Sequence, residues 1–328
     1  MKKTVLILFM SLVLLMSLST SSLAGKKVCK FGHVNSPASL FQYQALEFKK
    51  AVEAELPDMT VEVYPAGQLG GTLALMQGLE LNTVQIYSEF AYIWEGYVPE
   101  FKVLAVHYVF KDVEEFERFC KSALFDEINA KLAKKAGVRI IGNVDAGGTF
   151  QFLSRKPIHK MSDVKGIKNR CAQMAPLLGS WRSYGAKPTP LDWGEIYTSL
   201  ATGVIDGVDN PLIDMYDEKF YEVTKYLNYT NNLQVLIAYN TSEAFWKSLT
   251  PKEQDVFKRA IEIANQKTKA EVKRRFEKVL EVLKNKGVQS IQTDTADFRK
   301  AVQDNIEKIL EGNKRAIALY KKIVAGEY

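Results

Sequence analysis

The polar residues best suited to chemistry stand in two short stretches, IKNRCAQ (167–173) and GVIDGVDNP (203–211). Arg170 comes where a short strand is predicted to end, and Asn210 stands at the end of a second predicted strand. A guanidinium donates two parallel hydrogen bonds to a carboxylate, and an amide can add another donor. Because open α/β sheets bind ligands at their strand ends, these two residues predict an anion-binding site, which we call the grip.

Each of these residues also has a purely structural interpretation. Arg170 can be a surface residue that pairs with Asp163 or with water, and Asn210 can serve only the turn before Pro211. Trp193, before a predicted helix, and Phe150, on a predicted strand, can wall a cleft with apolar surface. Trp193 can equally be core filler, and DWGE (192–195) can matter only as a helix start with a capping box.

Sequence motifs of catalysis are missing from the chain. It contains no GxSxG, no Walker lysine loop, no GxGxxG after a strand and no HExxH. The glycines of PAGQLGG (65–71) lack the Lys-Ser/Thr that a phosphate loop needs. Asp206 and Asp209 could form a glycosidase pair, but aspartates in tight turns commonly hydrogen-bond their own backbone. We therefore expect no catalytic residue.

Cysteines and histidines do not suggest a metal or a cofactor. The spacing of Cys29, Cys120 and Cys171 matches neither a zinc nor a redox motif, which leaves buried thiols or one disulfide with a spare cysteine. The three histidines are scattered along the chain. We expect no cofactor and no metal.

The amino terminus indicates export. Two lysines precede an apolar run from Val5 to Leu18, and small residues lead to Ala24, which is typical of a cleaved signal peptide over residues 1–24. The net charge of +6 falls by these two lysines, 6 − 2 = +4, in the mature chain. That charge is mild and is not gathered into a basic block, so no nucleic acid is expected as a partner.

The strands and helices predicted to position these residues form an alternating α/β pattern. This pattern occurs twice along the chain. Apolar runs and helical periodicity predict βαβα from Lys26, a strand over 84–88 leading into a loop with Glu89, and one helix over 113–136 ended by Gly137. A second cycle follows residue 148. Thr250 to Glu253 form a capping box that opens a helix of some 35 residues, about 50 Å long, ending near Gly287. Without a sustained heptad, this helix is expected to brace two domains.

Several motifs in a fixed order carry a family resemblance: GHVNSP (32–37), YPAGQLGG (64–71), YVPEFKVLAVHYVF (97–110), SDVKGIKNR (162–170), PLDWGEIYTSLATGVIDGVDNP (190–211) and KFYEVTKY (219–226). In these the chain resembles the extracytoplasmic solute receptors of TRAP transporters, the DctP-type periplasmic binding proteins. The resemblance implies a two-domain, periplasmic-binding-protein-like α/β fold with the long helix bracing both domains. It implies domain I from 25–147 with about 236–275, domain II from 148–235 with about 276–328, and a ligand cleft between them.

The resemblance also implies roles for single residues. Arg170 ends the KGxKxR pattern and would hold the ligand carboxylate, Asn210 would complete the grip, and Trp193 would line the pocket. Three further residues are implied on loops that face the cleft: Glu89, Gln68 and His33. The protein would close over an organic acid in the periplasm and deliver it to the TRAP membrane permease subunits.

Two departures from the family pattern bear on the ligand. Phe150 stands where many members carry a second arginine, and Asp209 stands where glutamate is usual. Losing one cation disfavours small dicarboxylates, whereas an aromatic surface suits an aromatic or apolar carboxylate.

Two other functions remain open from the sequence. A periplasmic lyase or hydrolase acting on an organic acid would need a base, for which Glu89 is the candidate. A ligand-sensing protein of the same fold would bind the acid without a permease. The ligand's identity and the oligomeric state are not encoded in any motif.

Overall fold

Two β-sheets organise the chain, and the computed structural model describes them within residues 26–328. The predicted signal peptide lies outside the described residues. The first sheet has five strands: β1 (Lys27–Gly32), β2 (Met59–Tyr64), β3 (Ile86–Phe90), β4 (Val138–Val144) and β10 (Ile237–Ser242). Their order is β2-β1-β3-β10-β4. β1 pairs in parallel with β2 and β3, and β10 runs antiparallel between β3 and β4.

The second sheet has six strands: β5 (Phe150–Ser154), β6 (Asn169–Cys171), β7 (Thr189–Pro190), β8 (Gly207–Pro211), β9 (Tyr226–Tyr229) and β11 (Gln289–Gln292). Their order is β11-β9-β5-β8-β6-β7. β6 lies in parallel between β7 and β8, and β5 runs antiparallel to β8 and β9. The sequence prediction of an α/β fold is confirmed.

Helices cover both sheets. The α-helices are α1 (Leu40–Glu55), α2 (Thr72–Glu80), α3 (Val113–Cys120), α4 (Ala123–Ala136), α5 (Ala175–Ser183), α6 (Ile196–Thr202), α7 (Leu212–Asp217), α8 (Glu243–Ser248), α9 (Pro251–Asn285), α10 (Ala296–Asp304), α11 (Ile306–Ile309) and α12 (Lys314–Ala325). Short 3-10 helices include Ala91–Gly96, Pro99–Ala105 and Trp193–Glu195. Among the helices of residues 26–328, not one has both the length and the apolar character needed to cross a membrane.

Helix α9 forms as its capping signals predict. Thr250 Oγ1 accepts from the Glu253 backbone N–H at 3.2 Å, and Glu253 Oε2 accepts from the Thr250 N–H at 2.7 Å. The helix runs 35 residues to Asn285. It packs on α1, β4 and α7 and then leads directly into β11. It therefore connects elements of the first sheet to the second.

Two predictions on local structure were wrong in detail. The single helix over 113–136 is two helices, because Ser122 accepts a hydrogen bond from the Phe125 N–H and starts a new helix, α4. Glu89 lies inside β3 and not on a loop, because β10 pairs with it through Ala238. The strand ends predicted at Arg170 and Asn210 are correct to within one residue, since β6 ends at Cys171 and β8 at Pro211.

Other segments cross between the sheets, at 145–149 and 230–236. They run against each other, with Phe150 N–H donating to Leu233 O at 2.9 Å and Val235 N–H to Gly148 O at 2.7 Å. A Cβ on Gly148 would stand 1.7 Å from Val235 O, so only glycine permits this approach. The three cysteines are all free thiols.

Candidate functional site

A cavity of about 480 Å³ lies where residues of both sheets meet. That volume is within the range of small-molecule sites. Of the seven residues that the sequence predicted to bind the ligand, five line it: Glu89, Phe150, Arg170, Trp193 and Asn210. The structure thus brings together side chains that are up to 121 positions apart, 210 − 89 = 121.

Arg170 is fixed by its strand and by two neighbours. β6 pairs Arg170 with Val208 on one side and Thr189 on the other. Its Nε donates to Leu191 O at 3.0 Å, and its guanidinium carbon lies 5.6 Å from the centroid of the Trp193 ring. This leaves the two terminal nitrogens without a hydrogen-bond partner among residues 26–328.

The alternative pairing of Arg170 with Asp163 does not occur. Asp163 Oδ2 instead accepts from the backbone N–H groups of His159 and Lys160, at 2.9 and 3.2 Å. Burial lowers the pKa of Arg170, and nearby acidic groups, Cys171 first, oppose that shift. An arginine keeps its charge in proteins even so. The cavity therefore contains a partly buried cation. This cation forms no salt bridge with a carboxylate of the described chain.

Trp193 is held at the rim by its own capping box. Asp192 and Glu195 form that box around the 3-10 helix Trp193–Glu195, as the sequence predicted. The indole Nε1 donates to Glu218 Oε1 at 3.3 Å, and the ring packs edge-on against Phe220 with centroids 5.5 Å apart. The ring is only half-buried, so one part of it remains for a ligand.

Asn210 and Phe150 line the cavity from the neighbouring strands β8 and β5. Asn210 is 5% exposed in β8, opposite Gln151. Phe150 pairs with Pro211 in the adjacent strand, and its ring lies 5.9 Å from that of Phe90. One side of the cavity is therefore aromatic, and an amide stands beside it.

Carboxyl groups are the remaining polar feature of the cavity. Glu89 Oε1 accepts from the Phe90 N–H at 2.8 Å and Oε2 from the Tyr87 hydroxyl at 3.0 Å; burial raises the pKa of Glu89. Asp209 Oδ2 accepts from Trp181 Nε1 at 3.1 Å and from Asn232 Nδ2 at 2.8 Å, and burial raises its pKa to about 6. Both acids are thus held by fixed donors.

His33 and Gln68 do not line the cavity. His33 is fully buried, with Nε2 2.8 Å from Gln42 Oε1, and its ring packs 6.4 Å from Phe41, which does line the cavity. Gln68 is exposed in a turn. The glycosidase pair is not formed as a site either, because Asp206 Oδ2 accepts from the Lys168 backbone N–H at 2.9 Å.

Asp214 and Tyr92 line the cavity without any sequence signal that we recognised. Asp214 is the fourth residue after Asn210, on the first turn of α7. That spacing is the only sequence feature that could have indicated it. Within residues 26–328, no group of three or more His, Cys, Asp or Glu side chains is arranged to hold a metal ion.

Comparison with known proteins agrees with this architecture. Residues 31–313 match the family model DctP, described as bacterial extracellular solute-binding protein, family 7. A C4-dicarboxylate-binding periplasmic protein of Shewanella loihica is 30% identical over 255 residues, 77% of this chain and 75% of the relative.

Solved structures are similar over nearly the whole chain. A TRAP periplasmic solute-binding protein of Roseobacter denitrificans with bound L-galactonate has a TM-score of 0.83 at 26% identity, covering 90% of this chain and 99% of that one. One from Ochrobacterium anthropi with bound L-fuconate has a TM-score of 0.85 at 26% identity, covering 92% and 100%. The chain therefore belongs to the DctP family of bacterial extracellular solute-binding proteins and is a binding protein, not an enzyme.

Proposed function

We propose that the protein captures an organic acid in the periplasm and holds its carboxylate with Arg170. The observation that carries the proposal is the guanidinium in the cavity, positioned by Leu191 and Trp193 with both terminal nitrogens unpaired in the described chain. Even partial burial of a charge has a cost when its donors lack hydrogen-bond partners. A carboxylate ligand would supply two parallel, charge-assisted hydrogen bonds at this point.

The neighbouring residues complete the proposed grip. Asn210 stands one strand away from Arg170 and adds an amide donor to the same region. Relatives that bind L-galactonate and L-fuconate are carboxylate binders by their bound ligands, which supports an acid as the solute.

The side chains that line the cavity favour an acid that is apolar or aromatic outside its carboxylate. Phe90, Phe150 and Trp193 line the cavity, and Arg170 is the only arginine or lysine among the described lining residues. A second carboxylate on the ligand would find no cation there. We therefore expect aromatic or apolar monocarboxylates to bind more tightly than small dicarboxylates.

Closure and delivery follow from the same proposal. Domain I (25–147 with about 236–275) and domain II (148–235 with about 276–328) would close over the acid, with the crossing segments as the hinge. Ligand binding favours closure only if the closed form makes additional contacts. The closed protein would then deliver the acid to the TRAP membrane permease after export by the cleaved signal peptide.

A thermal-shift screen tests the proposal. The mature protein is compared with Arg170→Ala against aliphatic and aromatic monocarboxylates, dicarboxylates and the neutral amides of each. A ligand at about 100 times its Kd should stabilise the protein by roughly 2.7 kcal/mol, a shift of several degrees. We expect acids to shift the melting temperature, amides not to, and Arg170→Ala to lose the response.

Arg182→Ala is the matched control, since Arg182 is an exposed arginine on α5. It should respond to acids like the wild type. If Arg170→Ala responds to acids as well as Arg182→Ala does, the carboxylate is not held by Arg170 and the proposed site is wrong.

A further inference from the structure

Asp214 is a buried acid with an unsatisfied oxygen in the wall of the cavity. It is 2% exposed, lies on the first turn of α7 and lines the same cavity as Arg170. Its Oδ1 has no hydrogen-bond donor among residues 26–328. Leaving such an acceptor unpaired is costly, and more so for a charged group. Oδ1 is closed to the cavity, and Oδ2 also accepts no hydrogen bond from the described residues, so a donor from the cavity would stabilise this carboxyl through Oδ2.

Acidic groups surround Asp214. Burial raises the pKa of Asp214, and the carboxyl groups of Asp217, Glu89 and Glu218 raise it further, while Arg275 acts in the opposite direction. Glu89 also lines the cavity and interacts with the Arg170 charge. The cavity is therefore basic at Arg170 and acidic at Asp214, with Glu89 close to both.

The lining residues as a whole carry more acids than bases. Arg170 is the single arginine or lysine of the described lining, against five acidic residues: Glu89, Asp192, Glu195, Asp209 and Asp214. One carboxylate of a ligand would occupy Arg170. A second carboxylate would then face acidic groups and be repelled.

We infer that Asp214 and Glu89 form a second polar subsite that binds an ammonium group of the solute. The inference rests on the proposed carboxylate grip at Arg170 and makes it more specific. The solute class is then a zwitterion, an acid that carries an amine in addition to the carboxylate. The ammonium would donate to the Asp214 carboxyl through Oδ2 and stabilise the ionised forms of both acids.

A hydroxyl donor satisfies this geometry less well. It could donate to the Asp214 carboxyl, but it carries no positive charge that would stabilise the ionised forms of Asp214 and Glu89, whose pKa values burial raises. A metal ion is not supported either, since no group of three or more acidic, histidine or cysteine side chains within residues 26–328 is arranged to hold one. An ammonium supplies both a hydrogen-bond donor and a positive charge beside the acids Asp214 and Glu89.

Isothermal titration with matched ligands tests the inference. One set contains 5-aminopentanoate, 5-hydroxypentanoate, pentanoate and glutarate, repeated in several chain lengths. A second set contains phenylalanine, phenyllactate, 3-phenylpropanoate and benzylsuccinate. We expect the wild type to bind the amino acid of at least one set about ten-fold or more tightly than its hydroxy and unsubstituted counterparts, as for a charge-assisted hydrogen bond.

The variants Asp214→Asn and Glu89→Gln should lose that preference. Asp297→Asn is the matched control: Asp297 is also an acid in the first turn of a helix, α10, but it is exposed and does not line the cavity. It should keep the preference for the amino acid. Using two different subsite variants keeps the test valid if one of them fails to fold.

The outcomes separate this inference from the proposed function. If unsubstituted or hydroxy acids bind as tightly as the amino acids, or both subsite variants keep the preference, the ammonium subsite is wrong while the Arg170 grip stands. If no acid of either set binds the wild type, both proposals fail. If the acids bind but Arg170→Ala binds them equally well, the grip alone is wrong.

Discussion

At the scale of single residues, a buried polar network next to Arg170 should govern the response to pH. His107 is fully buried, with Nδ1 3.0 Å from the Tyr184 hydroxyl and Nε2 3.7 Å from Asp209 Oδ2. Burial lowers the pKa of His107 to about 3, so the ring is neutral at pH 7 and its contact with Asp209 is not an ion pair there.

We predict that His107 makes the protein acid-sensitive. The folded pKa of about 3 lies below the ordinary value of 6.5. As the pH falls below 6.5 the unfolded chain takes up a proton that the folded chain does not, so stability is lost from there down towards pH 3. Between pH 7.5 and 5, His107→Gln should lose roughly 1–2 kcal/mol less stability than the wild type. Chemical denaturation of both proteins across this range measures the difference.

Asp209 changes the pH dependence of stability in the opposite direction to His107. The His107→Gln variant must therefore be compared with the wild type. Its folded pKa of about 6 lies above the ordinary 3.8, so its contribution to stability grows as the pH falls through 6. The wild-type curve alone can therefore be nearly flat. Equal pH dependence of His107→Gln and the wild type would show that the imidazole does not stay neutral in the folded protein.

At the scale of elements, the long helix α9 depends on how it begins. Its Thr250 capping box satisfies backbone donors at the first turn, and Glu253 also pairs with Lys27 at 2.6 Å. We predict that Thr250→Ala lowers the free energy of unfolding by about 1 kcal/mol, the usual cost of losing such a cap. Urea denaturation measures it.

Thr250→Ser is the control for this cap, since its hydroxyl can accept from the Glu253 N–H in the same way. It should retain most of the stability. If Thr250→Ala and Thr250→Ser are equally stable, the cap does not contribute to α9.

The sequence predicted those elements whose signals are local. The boxes at Thr250 and Asp192, and the apolar runs of the strands, lie within a few residues of what they determine. The break at Ser122 was missed because the apolar periodicity continues across it. Glu89 was placed on a loop because the apolar run ends at Ser88, whereas pairing with β10, some 150 positions away, extends the strand.

The sequence predicted only some of the residues that line the cavity. Arg170 and Asn210 follow from strand ends and from a family resemblance. Asp214 lines the cavity from the first turn of α7, which follows β8 directly, and His33 is hydrogen-bonded to Gln42. Both outcomes depend on the direction that a side chain takes in the folded protein, which composition and spacing do not show.

At the scale of the whole molecule, contacts across the cavity hold the two sheets' elements together. The Ser36 N–H, on the loop after β1, donates to Glu218 Oε1 at 3.0 Å, and the same oxygen accepts from Trp193 Nε1 at 3.3 Å. The Ala175 N–H donates to Glu95 Oε1 at 3.0 Å. Glu218 therefore links the wall residue Trp193 to the opposite side of the cavity.

We predict that Glu218→Ala destabilises the closed arrangement and speeds release of a bound acid. Losing one acceptor that serves two donors should raise the dissociation rate several-fold, as for about 1 kcal/mol of lost hydrogen bonding. Stopped-flow displacement measures that rate, and small-angle scattering of the unliganded variant should show a larger radius of gyration. Glu218→Gln retains the oxygen acceptor, so it should release the acid nearly as slowly as the wild type. If Glu218→Ala also releases the acid at the wild-type rate, these hydrogen bonds do not hold the cavity closed, and closure must depend on contacts such as Phe90 with Phe150 or Ala175 with Glu95.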